Sequence, residues 1–220
     1  MKTQVFFIKM KQFFPAISLV LLAGACNNSG SGTASTSDTS AATSAKVDTQ
    51  KVDYDSAKNV AMKMNGEKFT NSKQKDDADR LVALVTMNYD EVKILQLGLS
   101  KNLPAGLSSS VQQMLTDHQK AIADLTALAA KKGFSVPSQP DQEGVDKYND
   151  LNKEAGNEFQ KDFLNWAVDG HKAAISDCQD YSKKANDPDL ISWCKNVLPT
   201  LQMHLQTVKT ALDNFNSTNK

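Results

Sequence analysis

The chain has 220 residues, 40% of them hydrophobic, and 25 basic side chains balance 25 acidic ones. Zero net charge leaves no electrostatic footprint for nucleic acid, and no apolar run after the N-terminal leader is long enough to cross a bilayer. The length suits one soluble domain of ordinary size with appendages.

The first appendage is a targeting segment, set aside from fold reasoning. Lys2, Lys9 and Lys11 form a basic start, and Phe13 to Leu22 is a short apolar stretch. Leu22-Ala23-Gly24-Ala25-Cys26 then reads as a lipobox, with small residues directly before a cysteine. Residues 1–25 are therefore predicted to be a lipoprotein signal peptide, with Cys26 as the lipid-modified N-terminus of the mature chain. Ala23-Gly24-Ala25 also fits ordinary secretory cleavage; the cysteine and the polar tract behind it favour the lipid. The expected location is the bacterial cell envelope, at the outer membrane. The membrane is the partner, reached through acyl chains on Cys26; no protein partner is named by the sequence.

Residues 26–75 are predicted to be a tether. Asn27 to Lys46 is rich in Ser, Thr, Gly and Ala and cannot bury enough apolar surface to fold. Lys46 to Asp76 reads as weakly ordered, with a short helix around Tyr54 to Met64. Met62 and Met64 are soft-metal ligands by type, but contacts onto the domain or simple exposure are the favoured reading.

From Asp77 the apolar residues recur at helical spacing, and residues 76–216 are predicted to be one all-α domain. A first long helix spans about Asp77 to Ser100, and a second about Leu107 to Lys132, stopped by Gly133. Phe134 to Gly144 reads as a connection, with a short helix over Val145 to Leu151. A third long helix spans about Ala155 to Lys184. A fourth runs to about Phe215, with Asp187 as N-cap, Pro188 in its first turn and Pro199 expected to kink it. His118-Gln-Lys-Ala-Ile-Ala-Asp124 and His171-Lys-Ala-Ala-Ile-Ser-Asp177 echo each other, as two related hairpins would. Two hairpins joined by a crossover make an antiparallel four-helix bundle.

Cys178 and Cys194 lie equally far from residue 186, the centre of the last turn. In an antiparallel hairpin they share one height, so a disulfide is expected in an oxidising compartment; two buried thiols are the alternative.

The same counting places Glu91, His118, His171 and His204 in one central layer. Their distances from the turns differ by a few residues, and three residues of helix amount to only ~4.5 Å along the axis. Each also falls within its helix's apolar stripe. A buried imidazole or carboxylate needs a partner. Glu91, His118, His171 and His204 are accordingly the candidate ligands of one transition-metal ion, Zn, Fe, Mn or Cu. The alternative is a polar layer hydrogen-bonded within itself, in a structural or partner-binding module. Leu115, Val168 and Leu201 stand three residues before the histidines, so the Glu-x-x-His pairs of di-iron bundles are lacking. No phosphate loop or G-x-S-x-G is present, and no catalytic residue is singled out.

Met114-x-x-Asp117-His118-x-Lys120-Ala121, Leu128-Ala129-x-x-Lys132-Gly133, Asp169-x-His171-Lys172 and Leu198-Pro199-x-Leu201-x-x-His204-Leu205 carry a resemblance. In that order they resemble the domain of unknown function numbered 4142, a bacterial exported family, over about Asp77 to Phe215. The resemblance implies a ferritin-like four-helix bundle and a glutamate in the first helix, which Glu91 matches. It implies no activity. The Cys178/Cys194 pair is particular to this chain.

Overall fold

A computed structural model describes residues 54–219. The expected leader, the expected lipidation site Cys26 and the expected tether as far as residue 53 lie outside the described residues. Among the described residues the fold is all-helical: α1 (Tyr54–Lys68), α2 (Ser72–Ser100), α3 (Ala105–Lys132), α4 (Gln142–Lys153), α5 (Gly156–Lys184) and α6 (Pro188–Thr218). The long helices pair in chain order, α2 with α3 and α5 with α6, and α3 also meets α6. Helix α4 lies against α2 and α5, and α1 packs on α2 and α4.

Local chemistry sets the helix ends. Asp187 Oδ1 accepts the Asp189 and Leu190 N–H groups at 2.9 and 3.2 Å, with Pro188 in the first turn of α6. Gly133 ends α3 at φ 69°, a left-handed conformation that favours glycine, and the Phe134 N–H returns to the Ala129 carbonyl at 2.9 Å. Helix α2 starts at Ser72 rather than Asp77 because Asn71 caps it, its side chain accepting the Lys73 N–H at 2.9 Å. Helix α4 is longer than expected at both ends; Asp141 caps it by accepting the Gly144 N–H at 3.1 Å. Helix α6 continues through Pro199 as a single helix.

The expected tether over 26–75 gives way at residue 54, where α1 begins. Its docking is largely polar. Buried Asn65 pairs both ways with the Ser135 backbone, donating to its carbonyl at 2.8 Å and accepting its N–H at 2.7 Å. Lys58 pairs with Asp141 at 2.7 Å, and Phe69, just past α1, meets Phe134 edge-to-face at 5.0 Å. Val60, Met62 and Met64 stay exposed. The short helix expected over Tyr54 to Met64 thus forms and extends to Lys68, docked by polar contacts that apolar periodicity could not announce.

The apolar interior forms two clusters. One contains Ile94, Val111, Met114, Leu115, Phe159, Phe163, Val168 and Val208. The other contains Leu81, Leu84, Val85, Leu125, Ala174, Cys178, Leu190, Cys194 and Leu201. Every long helix contributes to both. Between the two contributions α2 carries Asn88 and Glu91, α3 His118, α5 His171 and α6 His204, all buried. Each fully buried Phe or Leu on either side contributes about 1.5–3 kcal/mol, so the polar layer lies between two strongly favourable apolar regions.

Candidate metal centre

The three histidines come from three helices and meet in that layer. Their ring centroids are 5.3–5.6 Å apart. One ring nitrogen from each lies within 4.8 Å of the others. The rings are oriented by neighbours that the sequence did not single out. Asn88 Oδ1 lies 2.8 Å from His118 Nδ1. The Asn88 amide nitrogen itself donates to the Leu84 carbonyl at 2.8 Å, so Oδ1 is the acceptor and His118 Nδ1 carries the proton. His171 Nδ1 donates to the Ala167 carbonyl at 2.8 Å. His204 Nε2 donates to Asp117 Oδ2 at 3.0 Å.

A neutral imidazole has one N–H and one lone pair. With the N–H groups spoken for, the lone pairs fall on His118 Nε2, His171 Nε2 and His204 Nδ1. Among the described residues these three nitrogens have no hydrogen-bond partner, nor does Glu91 Oε2. Glu91 Oε2 lies 3.4 Å from His118 Nε2. That contact becomes an ion pair only if His118 is protonated, and burial opposes protonation. Burial holds the His118 pKa down at about 4 against the pull of Glu91, with His171 and His204 adding to the depression. Burial likewise lowers His204, in spite of Asp117. Near neutral pH His118 is therefore a neutral donor, the form that metals take, and the shift of His204 runs in the same direction.

Glu91 lies outside the tight imidazole group and reaches it through His118. A Cβ on Gly170 would come within 3.1 Å of Glu91 Oε1, so the glycine next to His171 makes room for this carboxylate. This buried cluster has the donor set and spacing to hold one transition-metal ion.

Cys178 and Cys194 meet across the α5–α6 hairpin, as equal distance from the turn predicts. They are buried free thiols, so the expected disulfide is not formed in this structure. The hydrogen bond to Cys194, together with burial, raises the Cys178 pKa, and the same bond lowers that of Cys194.

The family described as "Domain of unknown function (DUF4142)" matches residues 62–211. The chain belongs to this family. The DUF4142 match contains Glu91, all three histidines, their supports Asn88 and Asp117, and both buried cysteines. No curated protein and no solved structure matches the chain.

Of these supports, Asn88 had a sequence signal, a polar residue within an apolar stripe. Asp117 had only its place beside His118, and its reach to His204 on another helix is a tertiary fact. The Ala167 carbonyl carries no sequence signal at all.

Proposed function

We propose that this DUF4142 protein is a lipid-anchored cell-envelope protein, built as a ferritin-like four-helix bundle, that binds one transition-metal ion in its central layer. One observation carries the metal reading: three buried imidazoles each donate their only N–H outward to a fixed acceptor and turn an unpartnered lone pair inward. Metal-binding histidines are held in this manner by the acceptors behind them. A polar layer satisfied within itself would pair its members, yet four acceptor atoms here have no protein donor. Leaving a buried acceptor unmet costs about 1–3 kcal/mol; a cation removes that cost.

His118, His171 and His204 are the proposed ligands, with Glu91 completing the site. Among Zn, Fe, Mn and Cu, the nitrogen-rich donor set ranks Cu and Zn above Fe and Mn. The role is binding or sequestration of the ion. The lipid on Cys26 holds the domain at the outer membrane, and in that oxidising compartment Cys178 and Cys194 close to a disulfide.

The test is metal analysis of the purified protein after separate reconstitution with Zn, Fe, Mn and Cu. About one ion per chain is expected, lost in His118→Ala and His171→Ala. No ion above trace in the folded wild type refutes the reading. For the anchor, the N-terminal peptide of the mature protein should carry acyl mass on Cys26, and Cys26→Ser should leave the membrane fraction.

A further inference from the structure

A second feature lies against the other side of Glu91. An open cleft of about 920 Å³ is bounded by α2, α4 and α5, and both Glu91 and Gly170 lie on its wall. Its lining carries six carboxylates against two lysines, and one of those lysines, Lys58, is paired with Asp141. Half of the carboxylates, on Glu143, Asp146 and Asp150, come from α4 at helical spacing and form one acidic stripe. The cleft is built rather than incidental. Asp90 Oδ1 accepts the Asp141 N–H at 3.2 Å, which holds the start of α4 onto α2. It occupies the space a side chain at residue 144 would need, within 2.0 Å of where a Cβ would sit, so only Gly144 permits this closeness.

Glu91 joins cleft and metal centre. It is 2% exposed, its Oε1 lies beside Gly170 at the cleft wall, and its unpartnered Oε2 lies 3.4 Å from His118 Nε2. We infer that the α2–α4–α5 cleft is the entry vestibule of the metal centre, where carboxylates gather a hydrated divalent cation and Glu91 hands it to His118. This rests on the metal reading above. The physical basis is electrostatic focusing: a cleft lined with one sign of charge raises the local concentration of the opposite ion and its on-rate. Oxygen ligands suit a cation still carrying water, and imidazoles suit it once water is shed.

A rival route exists on the opposite side. A cleft of about 350 Å³ between α3 and α6, lined by Asp117, Asp124, Trp193 and Thr200, adjoins His204 through its support Asp117. It carries two carboxylates and one lysine, a weaker lure for a cation.

The experiment is stopped-flow mixing of the purified protein with Co(II), whose visible absorption reports arrival at the imidazoles. The variants are the triple Glu143→Gln/Asp146→Asn/Asp150→Asn and, for the rival cleft, Asp124→Asn. All four side chains are exposed. The triple variant should bind at the wild-type stoichiometry with an on-rate about tenfold lower at low salt, the gap closing at high salt. Asp124→Asn should bind at the wild-type rate. An unchanged on-rate in the triple variant, or a slowing confined to Asp124→Asn, overturns the vestibule while leaving the metal centre standing. Failure of the wild type to bind Co(II) at all overturns the metal reading, and the vestibule with it.

Discussion

Asn88→Ala separates a metal centre from a merely packed polar layer. In the wild type Asn88 Oδ1 holds the His118 proton on Nδ1 at 2.8 Å, leaving the Nε2 lone pair for an ion. Without that acceptor the imidazole gains by moving its proton to Nε2, where Glu91 Oε2 already lies 3.4 Å away and needs only a slight approach. The apo layer is then partly re-satisfied, so the loss of folding stability stays near the lower end of the ~1–3 kcal/mol expected for breaking a buried hydrogen bond. Metal binding suffers separately, because the proton must be driven back off Nε2. Losing a partner behind a ligand costs about 10–100-fold in affinity, or about 1.4–2.7 kcal/mol. Competition titration of Zn(II) against a chromophoric chelator reads the affinity, and nitrogen–proton correlation NMR of the apo protein reads the tautomer. Weaker binding together with a proton on His118 Nε2 is the expected pair of results. Affinity within twofold of wild type despite a shifted tautomer would refute the assignment of His118 Nε2 as a ligand atom.

Asp90→Asn tests the charge beneath α4. Burial, reinforced by the charge of Asp141, raises Asp90 from its ordinary 3.8 to about 7, against the Asp141 N–H and Lys58. The folded state therefore favours the protonated form, a contribution present below pH ~4 and lost as pH rises through 7. The amide stays neutral, so Asp90→Asn should unfold at higher denaturant at pH 8, by about 2 kcal/mol after allowing for partial solvent screening, and match wild type near pH 4. His118 acts in the opposite sense: its pKa falls from 6.5 to about 4 on folding, so apo stability should drop as pH falls from 6.5 towards 4. Chemical denaturation of apo Asp90→Asn, which lacks the opposing carboxyl, should expose that drop at about 3 kcal/mol or less; a flat profile would contradict the neutral buried imidazole. Gly98→Ala should cost about 1–3 kcal/mol by thermal denaturation, because its Cβ would come within 2.8 Å of the buried Phe163 ring. Thiol counting on denatured protein purified without reductant should find no reactive thiol from Cys178 and Cys194; two would refute the proposed disulfide.

Much of the architecture was legible from sequence because its signals are local. Helical spacing of apolar residues, Gly133 after Lys131-Lys132, and Asp187 before Pro188 each act within a turn or two of helix, and the long helices form where those signals stand. Counting from the turns brought the three histidines and Glu91 to one height, since a straight helix converts residue number into distance. The short helix expected from Tyr54 forms as α1 and runs on to Lys68, but its docking onto the domain left no periodic trace, because it rests on Asn65 and Lys58, whose partners lie about 70 or more residues away. Sequence alone therefore determined which residues could share the layer. The tertiary structure decided how they face one another: which nitrogen of each ring carries the proton, that Glu91 stands beside the imidazoles rather than among them, and that an acidic cleft meets the layer at its back. Those are angular facts, set by acceptors on other helices and by close approach at Gly144 and Gly170. Residue spacing along one helix holds no information about them.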